Sequence, residues 1–313
     1  MKKIVFVAKH KRTFVEQDFE ILSRHYKVTR TVSKKEIKES DGVFCWFASK
    51  HAIKPLMLTK HYKKPFIIVT GGYDVAYHKG EQKYGLATSP ILRRIPKKIL
   101  KNSTRILAVS KFNMEEAKRI TNNPNISYVP NGIPLHNTPP DYKKKEDIVI
   151  TAGFINKTSY WRKGLNSFIR VADLMPRYDF YHIGRISGDD LSRMAKKEIK
   201  EAPDNMHFLG YVDGIDEWYR KAKVYCQLSA YESFGLSVIE AMDRGCNTVV
   251  MNNGALPEIV GQYGYVSKND EDIIMNVEKA MKTPVRKDVH SWLKQYDIKK
   301  REKRIMGVLN EVM

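Results

Sequence analysis

Short apolar runs separated by amphipathic stretches repeat along the chain. KIVFVA (3–8), GVFCWF (42–47), PFIIVT (65–70), RILAVS (105–110) and ISYVP (126–130) are rich in β-branched and aromatic residues. They lack a strict period of two, which predicts strands covered on both faces. Helix-like stretches lie between them, at 13–25, 50–61 and 111–121. After residue 145 the alternation restarts with DIVITAG (147–153), DFYHIG (179–184), MHFLG (206–210), VYCQLS (224–229) and NTVVM (247–251). Strands alternating with helices imply right-handed βαβ crossovers and parallel sheets. Two such series predict two doubly wound α/β domains.

The break between the series is visible in composition. VPNGIPLHNTPPDYKKKED (129–147) packs four prolines, an Asn-Gly turn and a basic run into 19 residues, which is linker chemistry. The expected domains are 1–140 and 145–296. The basic amphipathic helix expected over 297–313, with Ile305, Met306, Val308 and Leu309 available for burial, packs back on the first. A length of 313 residues fits two cores better than one. Open parallel sheets bind ligands at the carboxyl ends of their strands, so the expected site is a central cleft faced by both domains.

Charge changes the picture more than composition does. Residues 1–150 hold 30 Lys and Arg against 13 Asp and Glu, while residues 151–313 hold 25 against 22. A strongly basic half beside a nearly neutral one fits either general solubility charge or an anionic partner: an acidic lipid surface, a nucleic acid or a phosphorylated acceptor. Apolar residues make up 42% and charged residues 29%, which argues against disorder. No apolar run approaches the roughly 18 residues of a membrane span. The basic start MKKIVFVAKH has an apolar part too short for a signal peptide and reads as a first strand. Cys45, Cys226 and Cys246 have no metal-like spacing, and a sparse, odd count fits a reducing cytoplasm.

Candidate chemistry concentrates in two loops of the second half. VYCQLSAYESFGLSVIEAM (224–242) reads strand, loop, helix, so the amides of Gly235, Leu236 and Ser237 are free to meet an anion at a helix start. Gly235 allows close approach to the backbone. Glu240, about a turn and a half into the helix, suits vicinal hydroxyls such as those of a ribose. Glu232 lies on the approach side. By spacing alone both glutamates also fit solvated or capping roles. Against that stand the apolar neighbours of Glu240, since a buried helix is a costly place for an unpaired charge. GFINKTSYWRKGLNSFI (153–169) is a second loop of the same kind, bringing Lys157, Arg162 and Lys163 before a helix that begins near Gly164. Such cations can neutralise a diphosphate. Asp189-Asp190 and Asp213/Asp216 read as a helix cap and a surface loop, so no metal is expected.

Taken in order, these motifs resemble the retaining glycosyltransferases of family 4. The resemblance rests on ILAVSKFNMEEAKRI (106–120), ISYVPNGIP (126–134), RKG (162–164), YHIG (181–184), NMHFLGYV (205–212), the Glu-x7-Glu stretch and GALPEIVG (254–261). It covers most of residues 104–270. It implies a GT-B fold of two Rossmann-like domains and a metal-independent hexosyltransferase without a cofactor, using a nucleotide-diphosphate sugar as donor. It also implies that Glu240 binds ribose hydroxyls, that the Phe234-Gly235 amides and Leu236 sit near the diphosphate, that Arg162 and Lys163 hold it, and that Glu232 contacts the transferred sugar. The base would lie near Tyr211, with Gly184 lining the same pocket. The sugar would transfer with retained anomeric configuration.

The chain departs from that family in three places. Phe154 stands where an Arg often follows the strand-ending Gly, so Lys157 is a candidate substitute. No Gly-Gly loop follows the first strand. The expected acceptor-side His is replaced by VTGGYDVAYHKG (69–80), in which Asp74 and His78 are both candidates. PILRRIPKKILKNSTR (90–105) interleaves apolar and basic residues, with Pro96 suggesting a short helix from about Ile95. A basic amphipathic helix fits an anionic membrane surface, hence a lipid or lipid-linked glycan acceptor and a cytoplasmic protein peripheral to the inner face. An ordinary helix packed on its sheet fits equally. Two alternatives stay open: an inactive GT-B-like nucleic-acid binder, and a glycosyltransferase acting on a nucleic-acid acceptor.

Overall fold

The computed structural model describes residues 1–80, 83–136 and 144–313. The chain divides into two compact units, Met1–Gly132 with Tyr296–Met313, and Ile133–Gln295. The middle of the proline-rich linker, 137–143, lies outside the described residues. The first unit holds 32 Lys and Arg against 13 Asp and Glu, net +19, and the second 23 against 22, net +1. Almost the whole net charge therefore belongs to the first unit.

The first unit is a parallel sheet of β1 (Lys3–Val7), β2 (Lys27–Thr29), β3 (Gly42–Trp46), β4 (Phe66–Thr70), β5 (Arg105–Ala108) and β6 (Ile126–Tyr128), in the order β2-β1-β3-β4-β5-β6. All residues of β3 and β4 are buried, which is why they read as unbroken apolar runs. Three-residue β2 has no such run; it pairs with β1 at the sheet edge and is half exposed, so periodicity misses it. Helix Thr13–His25 turns Val15, Asp18, Ile21 and Leu22 inward. The acid in that stripe is answered by Arg301 of the C-terminal helix Ile298–Val312. Arg301 grips both Asp18 oxygens at 2.6 Å and donates to the Val129 and Pro130 carbonyls at 2.9 Å. Trp46 Nε1 completes the shell of Asp18 at 3.0 Å. This buried ion pair, with Ile305, Val308 and Leu309, fastens the C-terminal helix to the first unit. Met306, expected to share that burial, is half exposed.

Residues 90–105 do not form one amphipathic face. A turn at 90–93 leads into helix Arg94–Lys101, whose apolar Pro96, Ile99 and Leu100 are buried in the unit. Segment 50–61 likewise starts as a 3₁₀ turn, Lys50–Ala52, before helix Ile53–His61.

The second unit is another parallel sheet: β7 (Glu146–Ala152), β8 (Asp179–Ile183), β9 (Met206–Gly210), β10 (Ala222–Gln227), β11 (Asn247–Met251) and β12 (Tyr265–Ser267), ordered β12-β11-β10-β7-β8-β9. The chain runs outward from β7 through β8 and β9, then returns to β10 on the other flank of β7. The topological switch point therefore lies between β7 and β10, where such sheets open a ligand crevice at their carboxyl ends. Lys145, read from sequence as linker charge, is buried at the opposite end of the sheet, just before β7 begins. Its ammonium donates to the carbonyls of Tyr219, Arg220 and Ala222 at 2.7–3.0 Å, closing the end of helix Ile215–Lys221. The three cysteines are buried free thiols.

Candidate functional site

The two chemically loaded loops follow the two strands that flank the switch of the second unit. After β7, Gly153 to Gly164 carries Phe154, Lys157, Arg162 and Lys163 into helix Leu165–Leu174. After β10, residues 228–235 carry Glu232 into helix Leu236–Asp243. Backbone stitches the loops together, with the Ala230 amide donating to the Arg162 carbonyl at 2.8 Å. Glycines make the approach possible. Gly164 (φ +72°) has no room for a Cβ, which would stand 2.0 Å from the Leu228 carbonyl oxygen. Gly254, in the loop after β11, is equally tight against Glu232: a Cβ there would meet its carbonyl oxygen at 2.1 Å, and the next amide, Ala255, donates to that oxygen at 2.8 Å. The sequence suggested no role for Gly254 beyond the GALPEIVG motif.

Glu232 and Lys163 meet in an ion pair of 3.0 Å. Burial pushes the Glu232 carboxyl upward, but the charges of Lys163 and Arg162, the Lys163 hydrogen bond and the Ser233 amide together hold it below the usual range. Glu240 is shifted the other way. Its burial outweighs a long 3.5 Å hydrogen bond from Tyr219 Oη and the nearby Arg244 charge, so its carboxyl is raised. A second buried phenol, Tyr225, stands edge-on to Tyr219 with ring centroids 5.6 Å apart. Tyr225 Oη donates to Gln227 at 2.6 Å, and Gln227 to Ser229 at 2.7 Å. A buried polar network thus underlies the helix that carries Glu240. Tyr219 carried no motif, and no signal in sequence marked it. The two acids are thus shifted in opposite directions by different surroundings.

Helix Leu236–Asp243 begins at Gly235 (φ +107°), an N-cap residue with no side chain to cap it. Its first amides are outside the intrahelical ladder, as helix geometry requires. Phe234 is buried and Leu236 half-buried. The ends of β7, β8 and β9 are knit by glycines: a Cβ on Gly184 would stand 2.2 Å from the Gly153 oxygen, and the Gly184 amide donates to the Gly210 carbonyl at 2.8 Å. Buried His182 lies 3.1 Å from the same Gly153 oxygen; burial outweighs this bond and lowers its pKa to about 4, so it is neutral at physiological pH. Two aromatics stand out at this rim, Phe154 at 53% and Tyr211 at 77% exposure. Lys157 sits on an exposed turn.

The remaining candidates belong elsewhere. Asp74 and His78 are in the first unit, in the loop after β4. The Asp74 carboxylate is fully buried and accepts from the amides of Ala48, Gly71 and Gly72 at 2.9–3.2 Å, so it organises that loop. His78 is half-buried and pairs through its backbone with Tyr84. Asp189 and Asp190 form a 3₁₀ turn and cap no helix; Ser192 caps the one that follows. Asp216 lies in a helix, not a loop, where it pairs with Arg220 at 2.8 Å and with Arg244. Among the described residues no group of three or more His, Cys, Asp or Glu is placed to hold a metal.

Two doubly wound, all-parallel six-stranded sheets in succession define the GT-B class of glycosyltransferase folds. A solved structure of Anabaena HepE with UDP and glucose superposes with a TM-score of 0.77 at 14% identity, covering 99% of this chain and 100% of that one. Sucrose-phosphate synthase from Thermosynechococcus elongatus gives 0.77 at 12% identity, covering 99% of each chain. The model of the glycosyl transferases group 1 family matches residues 139–299, and the chain belongs to that family. Among curated relatives, O-antigen chain mannosyltransferase B of Escherichia coli is 32% identical over 36% of this chain and 32% of its own length. The processive diacylglycerol alpha-glucosyltransferase of Acholeplasma laidlawii is 36% identical over 33% of this chain and 30% of its own. These matches span about a third of each relative.

Proposed function

We propose that the protein transfers a hexose from a nucleotide-diphosphate sugar to a hydroxyl acceptor with retained anomeric configuration. The observation that carries this reading is the Lys163–Glu232 pair beside Arg162 and the helix start at Gly235, all at one switch point. Arg162, Lys163 and the amides after Gly235 take the diphosphate. Glu240 accepts from the ribose hydroxyls, Tyr211 and Gly184 border the base, and Glu232 positions the sugar. The bond from the anomeric carbon to the diphosphate oxygen breaks, its electron pair leaving with the diphosphate that the cations stabilise. The acceptor oxygen then bonds the oxocarbenium-like carbon on the face just vacated, and its proton passes to the departing diphosphate.

The cations and helix amides supply the leaving-group stabilisation, so the reading includes no metal ion. On the acceptor side, burial of Asp74 leaves His78 as the accessible candidate. A lipid or lipid-linked acceptor is consistent with the net charge of +19 on the first unit and with a relative whose name includes diacylglycerol. No helix among the described residues is long and apolar enough to cross a membrane. This reading, resting on the charge of the first unit, places the protein peripherally on a cytoplasmic face. A thermal-shift screen of UDP, GDP and ADP with their sugars tests the donor site. One nucleotide should stabilise the protein, and Glu240→Ala should abolish the shift. No shift from any nucleotide refutes the reading.

A further inference from the structure

Large apolar side chains left exposed on the first unit are few, and they cluster. Among the described residues they are Met1, Met57, Tyr73, Tyr77, Ile91 and Leu92, so four of the six fall within residues 73–92. Ile91 is 74% and Leu92 38% exposed. They are not frayed. The turn holding them is hydrogen-bonded, with Arg93 N donating to Ser89 O, Arg94 N to Ile91 O and Ile95 N to Leu92 O. The backbone therefore fixes Ile91 in water with Leu92 partly exposed beside it, an apolar contact that calls for a partner.

The four residues share a neighbourhood. The Tyr77 amide donates to Glu116 at 3.1 Å, and Arg93 donates to the Arg119 carbonyl at 2.6 Å, so both segments lie along helix Lys111–Ile120. Tyr73 packs edge-on against Tyr84, their ring centroids 5.2 Å apart, and its carbonyl accepts from Leu86 N at 2.8 Å. The surroundings are cationic. Residues 83–105 hold seven Lys and Arg and no acid. In helix Arg94–Lys101 the apolar residues face the core, and Arg94, Lys97, Lys98 and Lys101 form one exposed stripe at i, i+3, i+4 and i+7. The apolar face of this helix is thus unavailable to a partner, and the aliphatic contact comes from the turn ahead of it.

We propose that Tyr73, Tyr77, Ile91, Leu92 and the basic stripe of helix Arg94–Lys101 form a docking surface for an anionic lipid bilayer. The stripe lies on the headgroups, the tyrosines sit at their level, and Ile91 and Leu92 enter the acyl boundary. Charge complementarity selects acidic lipid, and the fixed aliphatic pair distinguishes a bilayer from a nucleic acid, which offers no apolar phase. The surface deepens the transferase reading by giving the acceptor a location, but it is separable from the donor site.

The test is co-sedimentation of the full chain with vesicles of phosphatidylcholine alone and of phosphatidylcholine with phosphatidylglycerol, at ~0.05 M and ~0.5 M salt. Binding should require phosphatidylglycerol and weaken at high salt. Ile91→Ser/Leu92→Ser and Lys97→Gln/Lys98→Gln/Lys101→Gln should each lower partitioning by about tenfold or more, whereas Met194→Ser, exposed on the second unit, should not. Unchanged melting temperatures and an unchanged nucleotide-induced shift in every variant keep this test separate from the donor site. Failure of the unmodified protein to sediment with phosphatidylglycerol vesicles overturns the proposal. So does full binding by the serine variant, which would mark a general polyanion surface.

Discussion

Replacing Glu232 by Gln should move two affinities in opposite directions. In the free protein the Lys163 ammonium is held by Glu232 at 3.0 Å, with the two side chains 25% and 17% exposed. The gross attraction at that distance is about 5 kcal/mol for an effective dielectric near 20. Residual solvation and the cost of fixing two side chains reduce the net worth of such a pair to about 1 kcal/mol. A diphosphate arriving at Lys163 must share or displace that partner. Glu232→Gln removes the competition, so the nucleoside diphosphate should bind about three- to tenfold more tightly. The corresponding nucleotide sugar also loses a charged acceptor for a sugar hydroxyl, a contact typically worth ~1.5–3 kcal/mol. Its affinity should therefore fall, by roughly three- to thirtyfold after the gain at Lys163 is deducted. Lys163→Met should weaken both ligands. Isothermal titration of both ligands against the two variants measures the signs directly. Weaker binding of the bare nucleotide to Glu232→Gln would refute the shared-lysine argument, and undiminished binding of the nucleotide sugar would remove Glu232 from the sugar subsite.

Two further outcomes are expected. The Glu240 carboxyl is raised by burial, so the folded state holds its proton more tightly than the unfolded chain does. Glu240 therefore favours folding below its unfolded pKa, an advantage lost as pH rises through the raised value. Glu240→Gln should accordingly raise the melting temperature at neutral pH while weakening nucleotide binding. In the unsubstituted protein that binding should fade on acidification from above the ordinary glutamate pKa, and a pH-independent affinity would contradict the ribose role. In the first unit, Arg301→Met leaves fully buried Asp18 with Trp46 Nε1 as a remaining donor and should cost ~3–5 kcal/mol in chemical denaturation. Adding Asp18→Leu should recover much of that loss, and a single-variant cost under about 1 kcal/mol would exclude the pair as the fastening.

Much of the fold was legible because strands buried on both faces need apolar residues at every position. β3, β4 and β11 could be placed within a residue or two from such runs alone, while β2 and β12, short edge strands without one, left no trace. The positions of the two charged loops were legible for a related reason: charged residues directly after a buried apolar run mark where a parallel strand ends. Distant pairing was not legible. Lys163 meets Glu232 across 69 positions and Arg301 meets Asp18 across 283, and nothing local announces either. Lys145 read as linker charge, yet it seals a helix end. In residues 90–105 the sequence shows one alternation of apolar and basic positions. Packing divides it, sending Ile99 and Leu100 into the core and leaving Ile91 and Leu92 in water. By itself the sequence determined which segments must be buried and which ends of strands are free for chemistry, because burial is paid residue by residue. Only the tertiary structure decided which charges neutralise one another and which apolar residues stay outside. Those outcomes depend on what the rest of the chain brings within a few ångströms.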